Sequence, residues 1–467
     1  MLAAAGASAQ KLREAERSFS DVVASLGRIS AEITKADARL APLAATVRTL
    51  MEELEPHRAV LGDRIVDADF FARGHEASNL EAPWIPDRLH RKREDLFVAA
   101  MEVHRAFIDA SAQKILHNVG ALMNVFSAGP PPDEARRSLL GDLWSTLFMV
   151  VPLVSTTFAS VDRMLGLLPP GSIGWLLVDE AGQALPQAAV GGVMRARRSI
   201  IVGDPLQIPP VVTLPARLNA EICRFFRIDM ALWSAPEAST QTLADRASSY
   251  QASFRSDQGP RRVGMPLLVH RRCQEPMFGI SNRIAYDGQM VHAPAPRDAG
   301  EVGSVLGPTK WLDIDGEADT KWCAAEGDVV VAMLRKLTSA GVTEPDLFII
   351  TPFRVVAQEM RRRLRQEKDL VERLNIDIEE WTEDRVGTIH TVQGREAESV
   401  ILLLGAPAAS QHGARNWAAG TPNILNVAVS RAKQNFYVVG SYAAWSSVGH
   451  ARELASLRRA RIGQTGA

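Results

Sequence analysis

The chain is 467 residues long, with 46% hydrophobic residues, 23% charged residues and a net charge of −1. This length allows two to four domains, and the composition is that of a globular protein, which excludes a disordered or fibrous chain. The near-neutral charge argues neither for nor against nucleic-acid binding, because a local basic groove can exist within a neutral total.

Neither the cysteines nor the apolar segments indicate an extracellular or membrane protein. Cys223, Cys273 and Cys323 lie far apart and in no spacing typical of a metal site, so we interpret them as reduced thiols. The first residues lack the basic region of a secretory signal, and no uninterrupted apolar stretch reaches the ~20 residues of a membrane span. We therefore expect a cytoplasmic protein without a membrane partner.

The first segment has apolar residues in alternating steps of three and four, the spacing of one seam along a long helix. These residues are Leu12, Ala15, Phe19, Val22, Leu26, Ile29, Ile33, Ala36, Leu40, Leu43, Val47, Leu50 and Leu54. We expect Pro42 to kink this helix and Pro56 to end it. With a second helical stretch at 89–126, the pattern predicts a coiled-coil-like arm over 1–130. An antiparallel pair within the chain is the simplest arrangement, and a coiled-coil dimer is the alternative.

After GPPPDE at 129–134 the pattern changes to short β-rich runs that alternate with helical segments. Such alternation indicates parallel sheets covered by helices. The runs lie at 148–156, 175–179 and 199–203 in a first series, and at 347–352, 385–394, 399–405 and 435–441 in a second. We predict an α/β protein with a first domain over 131–235, a loop or linker over 236–262 and a second domain over 263–467.

Two carboxylates, Asp179 and Glu180, follow the apolar run WLLV. The tip of a parallel strand is where open α/β sheets bind ligands. In a nucleotide hydrolase the first acid would hold Mg²⁺ and the second would orient or deprotonate the attacking water; a solvated helix cap is the alternative. The next run, SIIVG, ends at Gly203 and Asp204 in a Pro-rich loop, whose Gln207 amide could sense a phosphate oxygen.

The second series carries further polar groups. Gly394 in QGRE permits close approach of the backbone to a ligand, and Thr388 and Thr391 could donate to backbone phosphates; an ordinary polar turn is the alternative. Arg431 precedes a strand, where a guanidinium can act across a domain cleft as arginine fingers do. A surface ion pair is the alternative for Arg431. Arg271 and Arg272 of VHRRC also follow an apolar run, and a second arginine near the cleft would suit the charge on a triphosphate; a solvated face is the alternative for this pair.

Taken together, these segments resemble the superfamily-1 helicases, especially the branch of nonsense-mediated-decay and Okazaki-fragment-processing helicases. DEAGQ, GDPLQIPPVV, VHRRC, TIHTVQGRE and LNVAVSRAK resemble motifs II to VI of that family in order and spacing, over roughly residues 150–442. The resemblance implies RecA-like P-loop NTPase folds, the first incomplete and the second complete. It also implies ATP and Mg²⁺ as cofactors, single-stranded DNA or RNA as partner, and 5′→3′ polarity. The helical arm resembles the insertion that this branch carries in its first motor domain.

The resemblance also implies roles for individual residues. Asp179 would bind Mg²⁺ through water, Glu180 would be the catalytic base, and Gln183 and Gln207 would sense the γ-phosphate. Arg271 and Arg431 would be the two arginine fingers. His270 stands where many relatives have an aromatic residue that stacks on adenine. Other nucleotide contacts would be Gly203, Asp204, Gly394 and Glu396, and contacts along the nucleic acid would be Ser155, Thr156, Thr351, Pro352, Thr388 and Thr391.

One expected motif is absent from the sequence. A P-loop needs G-x-x-x-x-G-K-[S/T], which surrounds the β-phosphate with backbone N–H groups and places a Lys on the phosphate oxygens, and no segment before Asp179 matches it. We expect that the chain starts inside the helical insertion, that the first sheet has unpaired edges and bare apolar faces, and that these residues alone hydrolyse ATP negligibly. Three hypotheses remain open: a helicase with a truncated sequence, a non-catalytic nucleic-acid-binding or regulatory protein, and a motor completed by a separate P-loop chain.

Overall fold

The structure is a computed structural model that describes residues 2–255, 259–374 and 376–461. The chain divides into two compact units, Met1–Met101 and Glu102–Ala467, which we describe separately. No helix in these residues is long and apolar enough to cross a membrane.

The first unit is helical. Helix α1 (Leu2–Leu61) runs through both prolines, so the expected end at Pro56 is wrong. A proline disturbs a single turn, while the Leu-, Glu- and Ala-rich residues around it favour helix. The other helices are α2 (Ala68–Ala72), α3 (His75–Leu80) and α4 (Asp87–Ala110), the last of which crosses the boundary between the units.

The apolar seam of α1 is exposed to solvent. Phe19, Leu26 and Leu43 have 71%, 60% and 62% of their surface exposed. Within the first unit no described helix covers this seam, and its pairing with the helical stretch 89–126 stays a prediction.

The second unit begins with helices around a small apolar core. They are α5 (Ala112–Ala128), α6 (Glu134–Arg137), α7 (Leu140–Val150) and α8 (Phe158–Leu165). Leu140 and Trp144 are buried one helical turn apart in α7, and this helical period prevails over the β-rich composition of 148–156. The strand expected in that run is wrong, because it holds the end of α7 and an irregular segment.

The first sheet has two parallel strands, β1 (Ile173–Val178) and β2 (Ala196–Ile201), joined by α9 (Pro186–Arg195). Within the described residues no third strand pairs with them. Trp175, Leu177 and Ile200 are 56%, 62% and 44% exposed. The expected unpaired edges and bare apolar faces of this sheet are confirmed.

The polar stretch 236–262, which we expected to be a loop or linker, contains regular structure. It holds α12 (Thr240–Ala247) and the antiparallel strands β3 (Ala252–Phe254) and β4 (Arg261–Val263). The Ser239 hydroxyl accepts from the Thr242 N–H and the Thr242 hydroxyl accepts from the Ser239 N–H, a capping box that starts the helix. Before it lie α10 (Ala216–Phe225) and α11 (Met230–Trp233).

The rest of the second unit consists of strands and helices, and its largest sheet is parallel. Its strands are β5 (Val269–His270), β6 (Val291–His292), β7 (Lys310–Asp313), β8 (Ala318–Asp319), β9 (Trp322–Cys323), β10 (Leu347–Thr351), β11 (Val386–Thr388), β12 (Ala397–Leu403), β13 (Ala432–Gly440) and β14 (Arg459–Arg461). Its helices are α13 (Met277–Ala285), α14 (Gly300–Leu306), α15 (Ala324–Ser339), α16 (Arg354–Arg365), α17 (Lys368–Arg373), α18 (Ile378–Arg385), α19 (His412–Ala419), α20 (Pro422–Ser430), α21 (Tyr442–Trp445) and α22 (Ala451–Leu454).

Six of these strands form the second sheet in the order β11-β10-β12-β13-β7-β14, and every neighbouring pair is parallel. The strands predicted at 347–352, 399–405 and 435–441 are confirmed as β10, β12 and β13. Of the run 385–394 only β11 is a strand, because a 3-10 turn follows at Ile389–Val392. The α/β class is confirmed, and the carboxyl ends of the parallel strands share one edge, where ligands bind in such sheets.

Candidate functional site

Asp179 and Glu180 lie directly after β1, at its carboxyl end. Glu180 has φ 52°, a left-handed conformation that is uncommon for a residue with a side chain. Its Oε2 accepts a hydrogen bond from Gln183 Nε2 at 2.9 Å, and Asp179 Oδ1 accepts from the Glu180 N–H at 2.9 Å. The structure thus brings three of the predicted site residues together at one strand tip.

Two glycines allow the ends of β1 and β2 to approach closely. A Cβ at Gly203 would lie 2.5 Å from the Gly182 nitrogen, and a Cβ at Gly182 would lie 2.6 Å from the Asp204 carbonyl oxygen. Since a side chain fits at neither position, close backbone approach rather than a sharp turn explains Gly203. This close contact places the loop that begins at Asp204 against the segment that follows Glu180.

The Asp204 loop is hydrogen-bonded to helices of the second sheet. Asp204 Oδ1 accepts from the Leu206 N–H at 2.8 Å, Gln207 Nε2 donates to Asp204 Oδ2 at 3.2 Å, and the Tyr286 hydroxyl also donates to that Oδ2. Asn426 Nδ2 donates to the Tyr286 hydroxyl at 2.9 Å and to the Leu206 carbonyl at 3.1 Å. A polar chain therefore connects the end of β2 with α20.

Burial keeps the Tyr286 hydroxyl of this polar chain protonated. Burial, reinforced by the charge of Asp204, raises the pKa of Tyr286 well above its ordinary value, so the hydroxyl keeps the proton that it donates. Gln207 Oε1 is buried and has no hydrogen-bond partner in the described parts of the chain. An unpaired buried acceptor is costly, and the Gln207 Oε1 is left available to a hydrogen-bond donor, while the Nε2 is held by Asp204.

Arg431 lies at the end of α20 and is only 2% exposed. Its guanidinium donates to the carbonyl oxygens of Val427 and Arg395 at 3.2 and 2.9 Å and to the Ser430 hydroxyl at 3.2 Å. Burial lowers its pKa, the charge of Arg272 lowers it further, and the charge of Glu180 acts in the opposite direction. The guanidinium of Arg431 therefore feels the charge of Glu180, while its N–H donors are held by the carbonyls of Val427 and Arg395 and by the Ser430 hydroxyl.

Gly394 faces Glu180 from the other side. It has φ 78°, and a Cβ built on it would lie 4.0 Å from Glu180 Oε1. A glycine fits this left-handed turn. Gln183 from the segment after β1 and Gly394 from the segment after β11 therefore both lie next to the Glu180 carboxylate.

The two adjacent arginines after β5 have different surroundings. Arg271 is exposed and makes no hydrogen bond or ion pair with the described residues. Arg272 Nε lies 2.5 Å from Glu396 Oε2, and Lys433 Nζ lies 3.0 Å from Glu396 Oε1. The structure therefore places Arg272, rather than Arg271, near Arg431, and holds Glu396 in ion pairs.

His270 is half-buried beside these arginines. Its Nε2 accepts from the Cys273 N–H at 2.9 Å, and its ring centroid lies 5.4 Å from that of Phe278. Burial, with the charges of Arg272 and His292, lowers its pKa to about 4. The ring is therefore neutral at pH 7 and packs on an aromatic side chain of the protein.

The six residues expected along the nucleic acid divide into an accessible and a buried group. Ser155, Thr156 and Thr391 are exposed and Thr388 is half-buried, and Thr391 Oγ1 donates to the Thr388 carbonyl at 2.7 Å. Thr351 and Pro352 are buried, and Thr351 Oγ1 accepts from the Phe353 N–H at 3.3 Å. In this conformation the side chains of the buried pair do not reach the surface.

A cavity of about 320 Å³ adjoins the carboxylate tip. It is lined by Phe158, Gln183, Ala184, Leu185, Ala188, Ile208, Pro209, Val211, His390 and Gln393. Both polar atoms of the Gln393 side chain are buried without a hydrogen-bond partner among the described residues. The cavity connects the segment after β1 with the turn after β11, and Gln393 supplies it with a free amide.

Tyr286 and Asn426 had no role in the sequence analysis, and Arg272 was considered there only together with Arg271. Arg272 and Asn426 lie inside VHRRC and LNVAVSRAK, so the motifs locate them without separating them from their neighbours. Tyr286 follows α13 and no local pattern distinguishes it. Only the fold brings it to Asp204.

Comparison with known proteins places this geometry in a family. Two family models, each described as an AAA domain, match residues 145–214 and 256–443. The chain is similar to three curated proteins. It is 24% identical over 306 residues to the DNA-binding protein SMUBP-2 of Rattus norvegicus and 24% identical over 300 residues to the DNA replication ATP-dependent helicase/nuclease DNA2 of Gallus gallus. It is 25% identical over 341 residues to the putative helicase MOV-10 of Gallus gallus. These matches support a superfamily-1 helicase. The alignments cover 62%, 63% and 64% of this chain and 27%, 25% and 33% of those proteins, so the chain spans about a quarter to a third of the relatives it matches.

Asp179 fits a Mg²⁺ site of the kind that nucleotide-hydrolysing helicases use. It is exposed, and its Oδ2 makes no hydrogen bond to the described residues. In the described ranges no group of three or more His, Cys, Asp or Glu side chains could hold a metal. Mg²⁺ at such sites is bound by one or two carboxylates together with waters and substrate phosphates, so this carboxylate suits a metal that arrives with a nucleotide.

The substitution Tyr286→Phe is expected to lower the free energy of unfolding by about 1–3 kcal/mol, because Asp204 and Asn426 each lose a buried partner. Urea unfolding measures the change. Tyr442→Phe is the matched control, since the Tyr442 hydroxyl makes no hydrogen bond with the described residues. Equal losses in the two variants would contradict a linking role for Tyr286.

Proposed function

We propose that this chain is part of an ATP-dependent nucleic-acid helicase or translocase that moves 5′→3′ along single-stranded DNA or RNA. The observation that carries the proposal is the meeting of two halves at Glu180. Gln183 bonds its carboxylate from the first sheet, while Gly394 and the charge of Arg431 face it from the second. A nucleotide bound between two such halves can couple hydrolysis to their relative motion.

The residues divide the chemistry in the following way. Asp179 holds Mg²⁺ through water, and the metal when bound polarises the phosphate oxygens. Glu180 orients or deprotonates the attacking water, and Gln183 and Gln207 sense the γ-phosphate. Arg431 supplies positive charge to the transferring phosphoryl group after its donors leave the Val427 and Arg395 carbonyls.

The second arginine has two candidates. Family resemblance favours Arg271, which is exposed, and proximity to Arg431 favours Arg272, which pairs with Glu396. Gly203, Asp204, His270, Gly394 and Glu396 border the nucleotide in this proposal, with Asp204 linking it to Tyr286.

These 467 residues do not supply the backbone N–H groups and the Lys that would surround the phosphates of a nucleotide. They contain no G-x-x-x-x-G-K-[S/T] segment, and the strand tip described above offers carboxylates and amides where a triphosphate needs backbone N–H groups and a Lys. We therefore propose that these residues alone bind ATP weakly, and we assign no step to the missing cradle.

Nucleic acid runs across the hydroxyl groups of Ser155, Thr156, Thr388 and Thr391 in this proposal. Such contacts reach phosphates and carry no sequence information. Binding is therefore expected to be weakly sequence-selective and strongly salt-dependent.

Fluorescence anisotropy with labelled 20-mers of oligo-dT and oligo-U tests the proposal. The double variant Thr388→Val, Thr391→Val is expected to weaken binding about fivefold, because Thr388 loses a hydroxyl donor to phosphate and Thr391 loses one that reaches phosphate after leaving the Thr388 carbonyl. Thr338→Val is the control, since Thr338 lies at the end of α15 and its hydroxyl bonds Arg335 within that helix. Absence of binding at low salt, or equal affinity of the double variant and the control, would overturn the proposed nucleic-acid path.

A further inference from the structure

Helix α1 presents an apolar seam that the structure leaves exposed. We define the seam by the residues whose side chains the structure describes: Ala15, Phe19, Val22, Leu26, Ile29, Ile33, Ala36, Leu40, Leu43, Val47, Leu50 and Leu54. Its large members are between 39% and 71% exposed. From residue 15 to residue 54 the seam is ~60 Å long at 1.5 Å per residue. A stripe of this length is costly to leave in water.

We propose that the seam binds the same seam of a second copy of this chain, as an antiparallel two-stranded coiled coil. In the proposed register the residue numbers of facing seam positions add up to 69, so that residue 33 faces residue 36 and residue 15 faces residue 54. All twelve seam residues then have a facing partner. The pair is closed by a two-fold axis, as is usual for a homodimer.

The size of the seam residues favours this register. The two small residues face large ones, Ala36 against Ile33 and Ala15 against Leu54 of the other copy. The other layers are Leu26 with Leu43, Ile29 with Leu40, Val22 with Val47 and Phe19 with Leu50. A parallel pair would instead place alanine on alanine in two layers and Phe19 on Phe19 in a third, which alternates voids with crowding.

The charges beside the seam favour the same register. Glu32 and Arg39 directly precede the seam residues Ile33 and Leu40, and in an antiparallel pair such positions face each other. Glu32 then faces Arg39 of the second copy, twice in each dimer, and Val23 on the opposite flank faces Ala44. No flanking position between 15 and 54 faces a like charge. In a parallel pair Glu32 would face Asp37, a repulsion that also occurs twice.

Neighbouring registers are disfavoured by the same two residues. A shift by one heptad in one direction places Glu32 opposite Glu32, and a shift in the other places Arg39 opposite Arg39. Pro42 and Pro56, which α1 accommodates, each follow a seam residue by two positions and so point away from the seam. The sequence therefore selects one antiparallel register among those that fill the seam.

Disulfide formation in the full-length chain tests the register. Val22→Cys and Val47→Cys are near in size to the native residues, and positions 22 and 47 lie about 38 Å apart along one helix. We expect no rapid cross-link in either variant alone and a cross-linked dimer when the two are mixed, because a disulfide requires Cα atoms within about 7 Å. The native cysteines Cys223, Cys273 and Cys323 are buried. Cross-links within each single variant would overturn the antiparallel arrangement.

A charge reversal tests the interface independently. Glu32→Arg is expected to raise the dissociation constant about tenfold, measured by sedimentation of the full chain, because the introduced arginine then faces Arg39 in two places. Adding Arg39→Glu is expected to restore dimerisation, and Glu52→Arg, which points away from the seam, serves as the control. A parallel dimer predicts the opposite sign, because the introduced arginine would face Asp37. A tighter dimer in Glu32→Arg, or a wild-type chain that stays monomeric at tens of micromolar, would overturn the proposal.

Discussion

Replacing Glu326 by Gln is expected to stabilise the folded chain by about 4 kcal/mol at pH 8 and to leave it nearly unchanged below pH 4.5. Glu326 lies in the first turn of α15 and is 1% exposed. Its Oε2 accepts from the Gly405 N–H at 2.8 Å, and its Oε1 is buried without a partner in the described parts of the chain. Burial raises the pKa of this carboxyl from 4.5 to about 8.

The sign of the pH dependence follows from this raised pKa. Between pH 4.5 and about 8 the folded chain holds a proton that the unfolded chain has released, so the free energy of unfolding falls as pH rises. The fall is about 1.4 kcal/mol per pH unit. Below pH 4.5 both states hold the proton and the stability is fully present. A Gln side chain resembles the protonated acid and cannot ionise, so it removes this fall.

Urea unfolding of the wild type and of Glu326→Gln at pH 5 and pH 8 measures the effect. Glu317→Gln is the matched control, since Glu317 is exposed on the loop after β7. We expect the two wild-type values to differ by several kcal/mol more than those of Glu326→Gln. The same pH dependence in all three proteins would show that Glu326 is ionised in the folded chain.

The strands of both sheets were predictable where a short apolar run ends at a polar residue. β1, β10 and β13 are such runs, and the run of β12 ends at Gly405. β10, β12 and β13 are apolar on both faces because they are buried in a parallel sheet. β7 and β14 have only four and three residues, too few to show a period. The helix α12 was missed because its stretch is polar, although its Ser239 cap is a local signal that could have located it.

The candidate site was predictable as far as local pattern reaches. Asp179 and Glu180 follow a strand in the sequence, so their place at a strand tip required no tertiary information. The bond between Asp204 and Tyr286 joins residues 82 apart, and that between Tyr286 and Asn426 joins residues 140 apart, so only the fold reveals them. The burial of Thr351, inferred from the family to lie along nucleic acid, likewise depends on neighbours distant in sequence.

The choice between two adjacent arginines shows the same limit. Arg271 and Arg272 are adjacent in the irregular segment after β5, and the structure gives them different surroundings. Counting residues from a motif therefore cannot decide which one reaches Glu396. The inward bonds of Arg431 are equally invisible in the sequence, because an arginine at that position could as readily face solvent.

Phosphate release from Mg²⁺-ATP by the 467-residue chain, with and without single-stranded DNA or RNA, tests most directly whether these residues hold an ATPase site that lacks its phosphate cradle. We expect release at the background rate, equal to that of Glu180→Gln, because the backbone N–H groups and Lys of a P-loop act together on the transition state and their loss costs at least about 10³-fold. The anisotropy measurement on the same samples verifies that the chain is folded and competent to bind. Nucleic-acid-stimulated hydrolysis that Glu180→Gln abolishes would contradict this expectation and would show that these residues cradle the phosphates in a way that their sequence does not reveal.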